Sequence, residues 1–207
     1  FRAGVCGTAV LNSEGEIINV RRITSLNIRV AREVREACPK EVADLLRDDS
    51  AGGLLFAGPP ACGKTTLLRG AARVLGNAGR LVAIVDERME LCPTCTDGFV
   101  TPPALGCDVL SGYPKALGMQ QALRTLAPQT IICDEVGGME DARAVLAAAN
   151  AGVRIVASIH AQAPGLMWGR PQSRVLLETG AFQYVVFLES ARTPGVVKGI
   201  YDVASLR

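Results

Sequence analysis

The most informative segment of the chain reads Gly58-Pro59-Pro60-Ala61-Cys62-Gly63-Lys64-Thr65. It matches the phosphate-binding pattern G-x-x-x-x-G-K-[S/T] at every fixed position. An apolar run over residues 54–57 predicts a strand before the loop, and residues 66–75 predict a helix after it. The backbone amides of such a loop and the positive end of the following helix form an anion site. The segment therefore predicts a nucleoside triphosphate site, with ATP and Mg²⁺ as the expected ligands.

Each residue type in this loop has a chemical task. Glycine at positions 58 and 63 permits the backbone angles and the close approach to phosphate that a side chain would block. We expect Lys64 to place positive charge at the β- and γ-phosphates and the Thr65 hydroxyl to coordinate Mg²⁺. The residues expected to line the nucleotide site are Gly58, Pro59, Pro60, Ala61, Cys62, Gly63, Lys64, Thr65 and Thr66.

Two adjacent carboxylates end another apolar run, over residues 130–133. Because the carboxyl ends of parallel strands meet at one edge of a sheet, Asp134 and Glu135 are expected near the phosphates. Asp134 is predicted to hold the Mg²⁺ shell, and Glu135 to polarise the attacking water. The second acid favours a hydrolase over a small-molecule kinase. The alternative is a pair of surface charges at the end of a strand.

Two further strand candidates end in polar residues at the same predicted edge. Residues 81–85 are followed by Asp86-Glu87-Arg88, and Glu87 is expected to orient the water or the γ-phosphate region. The alternative is a cluster of salt bridges at a strand end. His160, the only histidine, follows the apolar run 153–159 and is expected to sense the γ-phosphate. A lone histidine is otherwise usually structural.

Strand and helix candidates alternate through the rest of the chain, which predicts an α/β domain with a mostly parallel sheet flanked by helices. The predicted strands are residues 54–57, 81–85, 130–133, 153–158 and 184–188, with a last edge strand at 195–203. The predicted helices are residues 65–75, 115–126, 139–149 and 173–179. Residues 90–111 show no periodicity and are expected to form an irregular surface excursion.

The first 50 residues have a different pattern. Residues 7–11 and 17–23 flank a turn-rich segment and predict a β-hairpin. Residues 27–47 are mostly helical in pattern, and Pro39 is expected to divide them into two helices. We therefore expect a small β and helical piece over 1–50 and an ATPase domain over 51–207. Because the chain starts at Phe1, a longer N-terminal region is expected to precede it.

Composition narrows the function classes. The formal charge of +2 and the 4% aromatic content give no strong nucleic-acid signal. No apolar run approaches the roughly 18 residues needed to span a bilayer. The seven scattered cysteines are typical of reduced thiols. Cys92 and Cys95 have metal-ligand spacing, but a structural zinc site needs about four ligands and only Cys107 lies nearby. A zinc site and plain thiols therefore stay as alternatives.

The order and spacing of these motifs resemble the stage III sporulation protein AA family over most of the chain. The resemblance rests on residues 4–7, 25–29, 58–69, 85–88, 108–110, 114–116, 118–119, 134–135 and 150–153. Three segments depart from the family pattern. A Cys-x-x-Cys follows the acidic box at residues 92–95, residues 137–138 are both glycine, and Arg192 is single where the family has two adjacent arginines.

Membership of this family implies a RecA-like ATPase related to traffic and secretion motors. Residues 58–66 would be its Walker A motif, Asp134-Glu135 its Walker B motif, residues 86–88 an acidic box and His160 a histidine box. The family implies a cytoplasmic ATPase of the mother cell, peripheral to a membrane complex. It would power or gate a channel to the forespore and work as a hexameric ring with membrane-embedded channel proteins. Candidates for an arginine acting across a ring interface are Arg80, Arg88, Arg124, Arg170, Arg174 and Arg192.

Two alternative functions stay open at this point. One is a nucleotide-gated structural component of the channel with little turnover. The other is a RecA-like DNA-processing ATPase with the same core, which the near-neutral charge and the scarcity of aromatic residues disfavour.

Overall fold

The strand before the predicted phosphate-binding loop lies inside a seven-stranded sheet. The computed structural model describes residues 2–29, 37–95, 98–99 and 105–206. The chain divides into two compact units, Phe1–Val34 and Arg35–Arg207, and α1 (Lys40–Arg47) belongs to the second. Among the described residues, no helix is both long and apolar enough to cross a bilayer.

The first unit contains the predicted hairpin, formed by β1 (Arg2–Leu11) and antiparallel β2 (Ile17–Arg29). In the turn, the Asn12 side-chain oxygen accepts hydrogen bonds from the amides of Glu14 and Glu16, at 3.0 and 2.8 Å. The prediction of a helix from residue 27 is wrong, because Asn27 pairs with Gly4 inside the ladder. The predicted helix over residues 30–36 lies outside the described residues.

The second unit is built on a seven-stranded sheet. Its strands are β3 (Gly53–Gly58), β4 (Val82–Asp86), β7 (Cys107–Ser111), β8 (Thr130–Cys133), β9 (Arg154–His160), β10 (Phe182–Ser190) and β11 (Thr193–Asp202). They lie in the order β11-β10-β3-β9-β8-β4-β7. Six strands run parallel and β11 is antiparallel to β10 at the edge, which confirms the mostly parallel sheet. A small hairpin, β5 (Thr94–Cys95) and β6 (Gly98–Phe99), stands apart from this sheet.

Helices cover both faces of the sheet. They are α1, α2 (Lys64–Asn77), α3 (Lys115–Thr125), α4 (Met139–Asn150) and α5 (Pro171–Glu178), with short 3₁₀ helices at Pro164–Leu166 and Val203–Leu206. Leu54 and Phe56 of β3 pack in one core with α1 and α2, whereas Leu55 and Ala57 pack in the other core with α3, α4 and α5. Every residue of β3, β4 and β8 is buried, as expected for strands covered on both faces.

The prediction of irregular structure throughout residues 90–111 is wrong in two places: β5 and β6 pair within the segment, and its end forms a strand of the main sheet. Cys107–Ser111 forms β7, which pairs in parallel with β4 at the edge of the sheet. Its residues are only partly buried and include an aspartate and a serine, so they lack the apolar run of a central strand. The pairing with β4 therefore decides this strand. Residues 96–97 and 100–104 of the excursion lie outside the described residues.

Candidate nucleotide-binding site

The predicted phosphate-binding loop connects the end of β3 to the start of α2. Gly63 has φ 99°, and a Cβ atom there would lie 2.7 Å from the Gly195 nitrogen. The same Gly195 amide donates to the Cys62 carbonyl oxygen at 2.8 Å, so the start of β11 holds the loop. Helix α2 has no acidic residue in its first turn and no side-chain cap among the described residues. The first-turn amides are therefore available to an anion.

Lys64 is the charged group of this loop and is buried, at 5% exposure. Its Nζ donates to the carbonyl oxygens of Gly58 and Pro59, at 3.2 and 2.9 Å. A third hydrogen bond joins Nζ to the Nδ1 atom of His160 at 3.1 Å. The loop carbonyls and β9 thus hold the ammonium at the carboxyl edge of the sheet.

His160 connects Lys64 to Glu135. An ammonium group only donates hydrogen bonds, so Nδ1 of His160 accepts from Lys64 and the imidazole proton resides on Nε2. That Nε2 lies 3.0 Å from Oε1 of Glu135 and donates to it. The three predicted residues therefore form one continuous chain of hydrogen bonds, from the predicted phosphate-binding loop through β9 to the end of β8.

Thr65 and Asp134 meet at the base of the same site. The Thr65 hydroxyl donates to Oδ2 of Asp134 at 2.6 Å. The other carboxylate oxygen, Oδ1, accepts from the Glu135 amide at 2.9 Å and from the Ser158 hydroxyl. The Asp134 carboxylate is thus held at both oxygens, and one of them faces the threonine of the loop.

Glu135 stands in an uncommon backbone conformation, with φ 49°. Arg88 donates to its Oε2, and the Lys115 ammonium donates to its main-chain carbonyl oxygen at 2.8 Å. Partial burial raises the pKa of the Glu135 carboxyl, but the His160 hydrogen bond and the charges of Arg88 and Lys64 outweigh it and hold the pKa below its usual range. Glu135 is therefore a carboxylate at neutral pH.

The two acids after β4 have different surroundings. Asp86 is buried and accepts hydrogen bonds from the amides of Glu90 and Cys92, at 2.8 and 2.7 Å, so it braces the loop that follows. Glu87 is 41% exposed, and its Oε2 lies 3.4 Å from the Lys115 ammonium. The structure brings Lys115 and the chain from Val85 to Arg88 together with Asp134 and Glu135 around one cavity. Glu87 therefore borders the site, whereas Asp86 supports its wall.

Two residues of this site were not among the predicted site residues, although both have a sequence signal. Ser158 is a fully buried hydroxyl inside the apolar run that forms β9, and Glu135 donates to it at 3.0 Å. Lys115 follows a proline at the start of a predicted helix and is buried. The sequence signal for Ser158 is a polar residue in an otherwise apolar strand. The signal for Lys115 is a lysine at the start of a helix. Only the strand order shows which groups they meet.

The role of an arginine across a subunit interface and the role of the Cys92 and Cys95 pair both stay predictions. Arg80 pairs with Asp49 and Arg174 with Glu178 within the chain, while Arg124, Arg170 and Arg192 are exposed. Burial raises the pKa of the Cys92 thiol to about 12, with the Asp86 charge adding to the shift. The Cys95 side chain lies outside the described residues, so the zinc alternative stays a prediction.

The buried hydroxyl of Ser158 offers a test of this geometry. Ser158→Ala removes the hydrogen bond to the Asp134 carboxylate and one of the two acceptors of the Glu135 amide. We expect the free energy of unfolding to fall by about 1.5–3 kcal/mol, the usual contribution of a hydrogen bond to a charged group. Urea denaturation measures it, with Ser205→Ala at an exposed serine as the control. A Ser158→Ala chain as stable as the parent would contradict this network.

Comparison with known proteins decides the family. The family model described as "Sporulation stage III, protein AA" matches residues 1–207. The chain is 37% identical over 209 residues to stage III sporulation protein AA of Bacillus subtilis (strain 168), which covers 97% of this chain and 66% of that protein. The chain belongs to the sporulation stage III protein AA family. This finding confirms the resemblance inferred from the motifs.

Other relatives of this family member are longer proteins. The chain is 31% identical over 189 residues to Protein SEEDLING PLASTID DEVELOPMENT 1 of Arabidopsis thaliana, covering 87% of the chain and 26% of that protein. It is 30% identical over 212 residues to the protein ycf45 of Porphyra purpurea, covering 97% of the chain and 35% of that protein. The chain thus spans 66% or less of the length of these relatives.

Solved structures similar to this sporulation stage III protein AA family member show its fold. The Legionella pneumophila ATPase DotB aligns with a TM-score of 0.53 at 20% identity, over 73% of this chain and 44% of that one. The pilus retraction motor PilT aligns with a TM-score of 0.56 at 17% identity, over 78% of this chain and 50% of that one. The VirB11 ATPase of the Brucella suis type IV secretion system aligns with a TM-score of 0.55 at 18% identity, over 81% of this chain and 54% of that one. The RecA-like fold is therefore confirmed.

Proposed function

We propose that this chain is a Mg²⁺-dependent ATPase that powers or gates a sporulation channel between mother cell and forespore. The observation that carries the proposal is the continuous contact of loop and strand-end residues. Thr65 lies 2.6 Å from Asp134, and Lys64, His160 and Glu135 form one hydrogen-bonded chain. A nucleoside triphosphatase needs a phosphate loop, a metal acid and a water-orienting acid at one edge of its sheet.

The donor set at Thr65 and Asp134 fits Mg²⁺. Magnesium binds oxygen ligands, uses few protein carboxylates and keeps several waters. One hydroxyl and one carboxylate oxygen stand side by side here, and no thiol or imidazole contact to either is present among the described residues. Bound at these oxygens, Mg²⁺ would neutralise charge on the β- and γ-phosphates.

The residues of the chain divide the remaining work. The amides of the loop and the start of α2 bind the phosphates, and Lys64 stabilises negative charge on the transferred phosphoryl group. Glu135 orients and polarises a water whose oxygen attacks the γ-phosphorus while the bond to the bridging oxygen breaks, giving ADP, phosphate and a proton. His160 contacts both Lys64 and Glu135, which supports its proposed role in relaying the loss of the γ-phosphate. Glu87 borders the site and helps to order the water.

The cellular role is carried by the family. Membership of the sporulation stage III protein AA family supports a role in the mother cell, with membrane-embedded channel proteins as partners. The RecA-like fold shared with secretion and pilus motors supports a ring of identical subunits, for which we propose six. One of the arginine candidates would then act across a subunit interface.

One observation favours a second candidate function. Arg88 and His160 both bind the Glu135 carboxylate, so in this structure the proposed water-orienting group is engaged on both oxygens. An ATP-gated structural component of the channel would use such an arrangement to bind nucleotide and hydrolyse it slowly. The rate of turnover separates the two functions.

Steady-state phosphate release tests the proposal. The chain with ATP and Mg²⁺ is expected to turn over at roughly 1 per second or faster, the lower part of the usual range for enzymes. Chelation of the metal should abolish release, because Thr65 and Asp134 then lose the ion they are proposed to hold. Tight ATP binding with release below about 0.01 per second would favour the gated component. Undiminished release in excess chelator would contradict the Mg²⁺ assignment.

A further inference from the structure

Lys115 is a buried lysine at an electrostatically unfavourable position. It is the first residue of α3, after the N-cap Pro114, and its side chain is 10% exposed. The positive end of a helix dipole repels a cation, and burial of an ammonium is costly unless it is paired. A buried lysine at a helix start is stable only where its contacts offset the cost of burial and the helix dipole. Those contacts therefore indicate its function.

Two of the three compensating groups, on Glu135 and Glu87, border the cavity of the candidate nucleotide site. The Nζ atom donates to the main-chain oxygen of Glu135 at 2.8 Å. It also lies 3.4 Å from Oε2 of Glu87 and 3.9 Å from Oδ2 of Asp141. The short contact is to the backbone of the proposed water-orienting residue, and the longer ones are to carboxylates on either side.

Asp141 extends this hold along the loop that follows β8. Its Oδ2 accepts hydrogen bonds from the amides of Gly137 and Gly138, at 3.1 and 3.3 Å. Lys115 and Asp141 together thus fix a carbonyl at the start of the loop and two amides at its end. Glu135, whose own carbonyl is held, has φ 49°, a conformation that a non-glycine residue keeps only when its surroundings hold it.

The packing of α3 brings the lysine to this loop. A Cβ atom on Gly118 would lie 2.5 Å from Cγ1 of Val85, so the glycine permits α3 to approach the end of β4 closely. One turn earlier on the helix, Lys115 then reaches both Glu87 after β4 and Glu135 after β8.

We propose that Lys115 is a positioning residue: its ammonium holds the Glu135 backbone in its uncommon conformation and so aims the Glu135 carboxylate. It links the loop after β8 to Glu87 and makes α3 part of the site. The effect on hydrolysis rests on the proposed ATPase function, whereas the effect on the loop does not.

Lys115→Met tests the proposal with two readouts. In the ligand-free chain, amide hydrogen exchange over residues 134–138 should rise at least about 10-fold, because that loop loses an anchor. With ATP and Mg²⁺, kcat for phosphate release should fall at least about 10-fold, since a small misplacement of a reacting group is that costly. Binding of a non-hydrolysable ATP analogue should change by less than about twofold, as for a residue that acts beyond ground-state binding. In a Glu135→Gln background, Lys115→Met should cause no further loss.

The chain contains a matched control. Lys40 is also the first residue of a helix, after the N-cap Pro39, but it is exposed. Lys40→Met removes the same charge from the same kind of position and should leave exchange over 134–138 and phosphate release unchanged.

The outcomes separate the two proposals. Exchange over 134–138 at the parent rate in a folded Lys115→Met chain overturns the positioning role, whatever the activity. Raised exchange in a chain whose parent releases no phosphate sustains the positioning role and overturns the ATPase. If Lys115→Met does not fold, Lys115→Arg keeps the charge but changes the contact, and it should raise exchange over 134–138. Parent-like exchange in Lys115→Arg would then overturn the role.

Discussion

Glu135→Gln is expected to bind ATP about as tightly as the parent chain and to release phosphate at least about 100-fold more slowly, the contribution typical of a positioned acid or base. The amide keeps the size of the side chain and can still accept from His160, but it has lost the negative charge. It therefore attracts and polarises the attacking water much less. Because the pKa of Glu135 is held below its usual range, this charge is present in the parent throughout the neutral range.

Two measurements on the same preparation decide this prediction. Phosphate release gives the rate, and equilibrium binding of labelled ATP shows that the site is intact. Glu14→Gln removes an exposed carboxylate in the turn of the hairpin and serves as the control. Normal turnover by Glu135→Gln would reassign the water-orienting role, and Glu87 would be the next candidate because it borders the same cavity.

Lys64→Ala is expected to lower phosphate release at least about 100-fold, the cost of losing one preorganised electrostatic group. Nucleotide binding should weaken as well, because the ammonium is proposed to contact the phosphates before and during the reaction. The fold should survive, since Lys64 contacts loop carbonyls and His160 rather than the apolar core. The effect on binding distinguishes this variant from Glu135→Gln.

The control for Lys64→Ala is Lys198→Ala, at an exposed position of β11. Thermal unfolding shows whether each variant is folded before its activity is compared. Undiminished phosphate release by Lys64→Ala would remove the assignment of residues 58–65 as the phosphate-binding loop, and with it the proposed ATPase.

The elements that the sequence predicts well are those whose pattern is local. The run Leu54 to Gly58 is apolar at nearly every position because the strand is covered on both faces, and it forms β3. The predicted helices over residues 65–75, 115–126 and 139–149 begin within one residue of α2, α3 and α4. The hairpin turn over residues 12–16 is set by a single asparagine side chain, which makes its own backbone contacts.

The errors have a different physical origin. Residues 27–29 carry alternation compatible with a strand, but the helical pattern of residues 28, 31 and 34 competes with it, and pairing with β1 decides the outcome. Cys107–Ser111 becomes a strand only because β4 offers it an edge. In both cases a neighbour remote in sequence supplies the deciding hydrogen bonds, and tertiary context overrides local preference.

The predicted phosphate-binding loop, the predicted strand-end acids and the family follow from residue identity and spacing alone, because binding of a nucleotide phosphate with magnesium would require those residue types near those elements. The contacts among them required the fold. Thr65 and Asp134 are 69 positions apart, and Lys64 and His160 are 96 apart, yet each pair is in hydrogen-bond contact. The strand order places β3, β9 and β8 side by side and so brings these pairs together. The strand order also decides which groups Ser158 and Lys115 contact, because the role of a buried polar group depends on its hydrogen-bond partners.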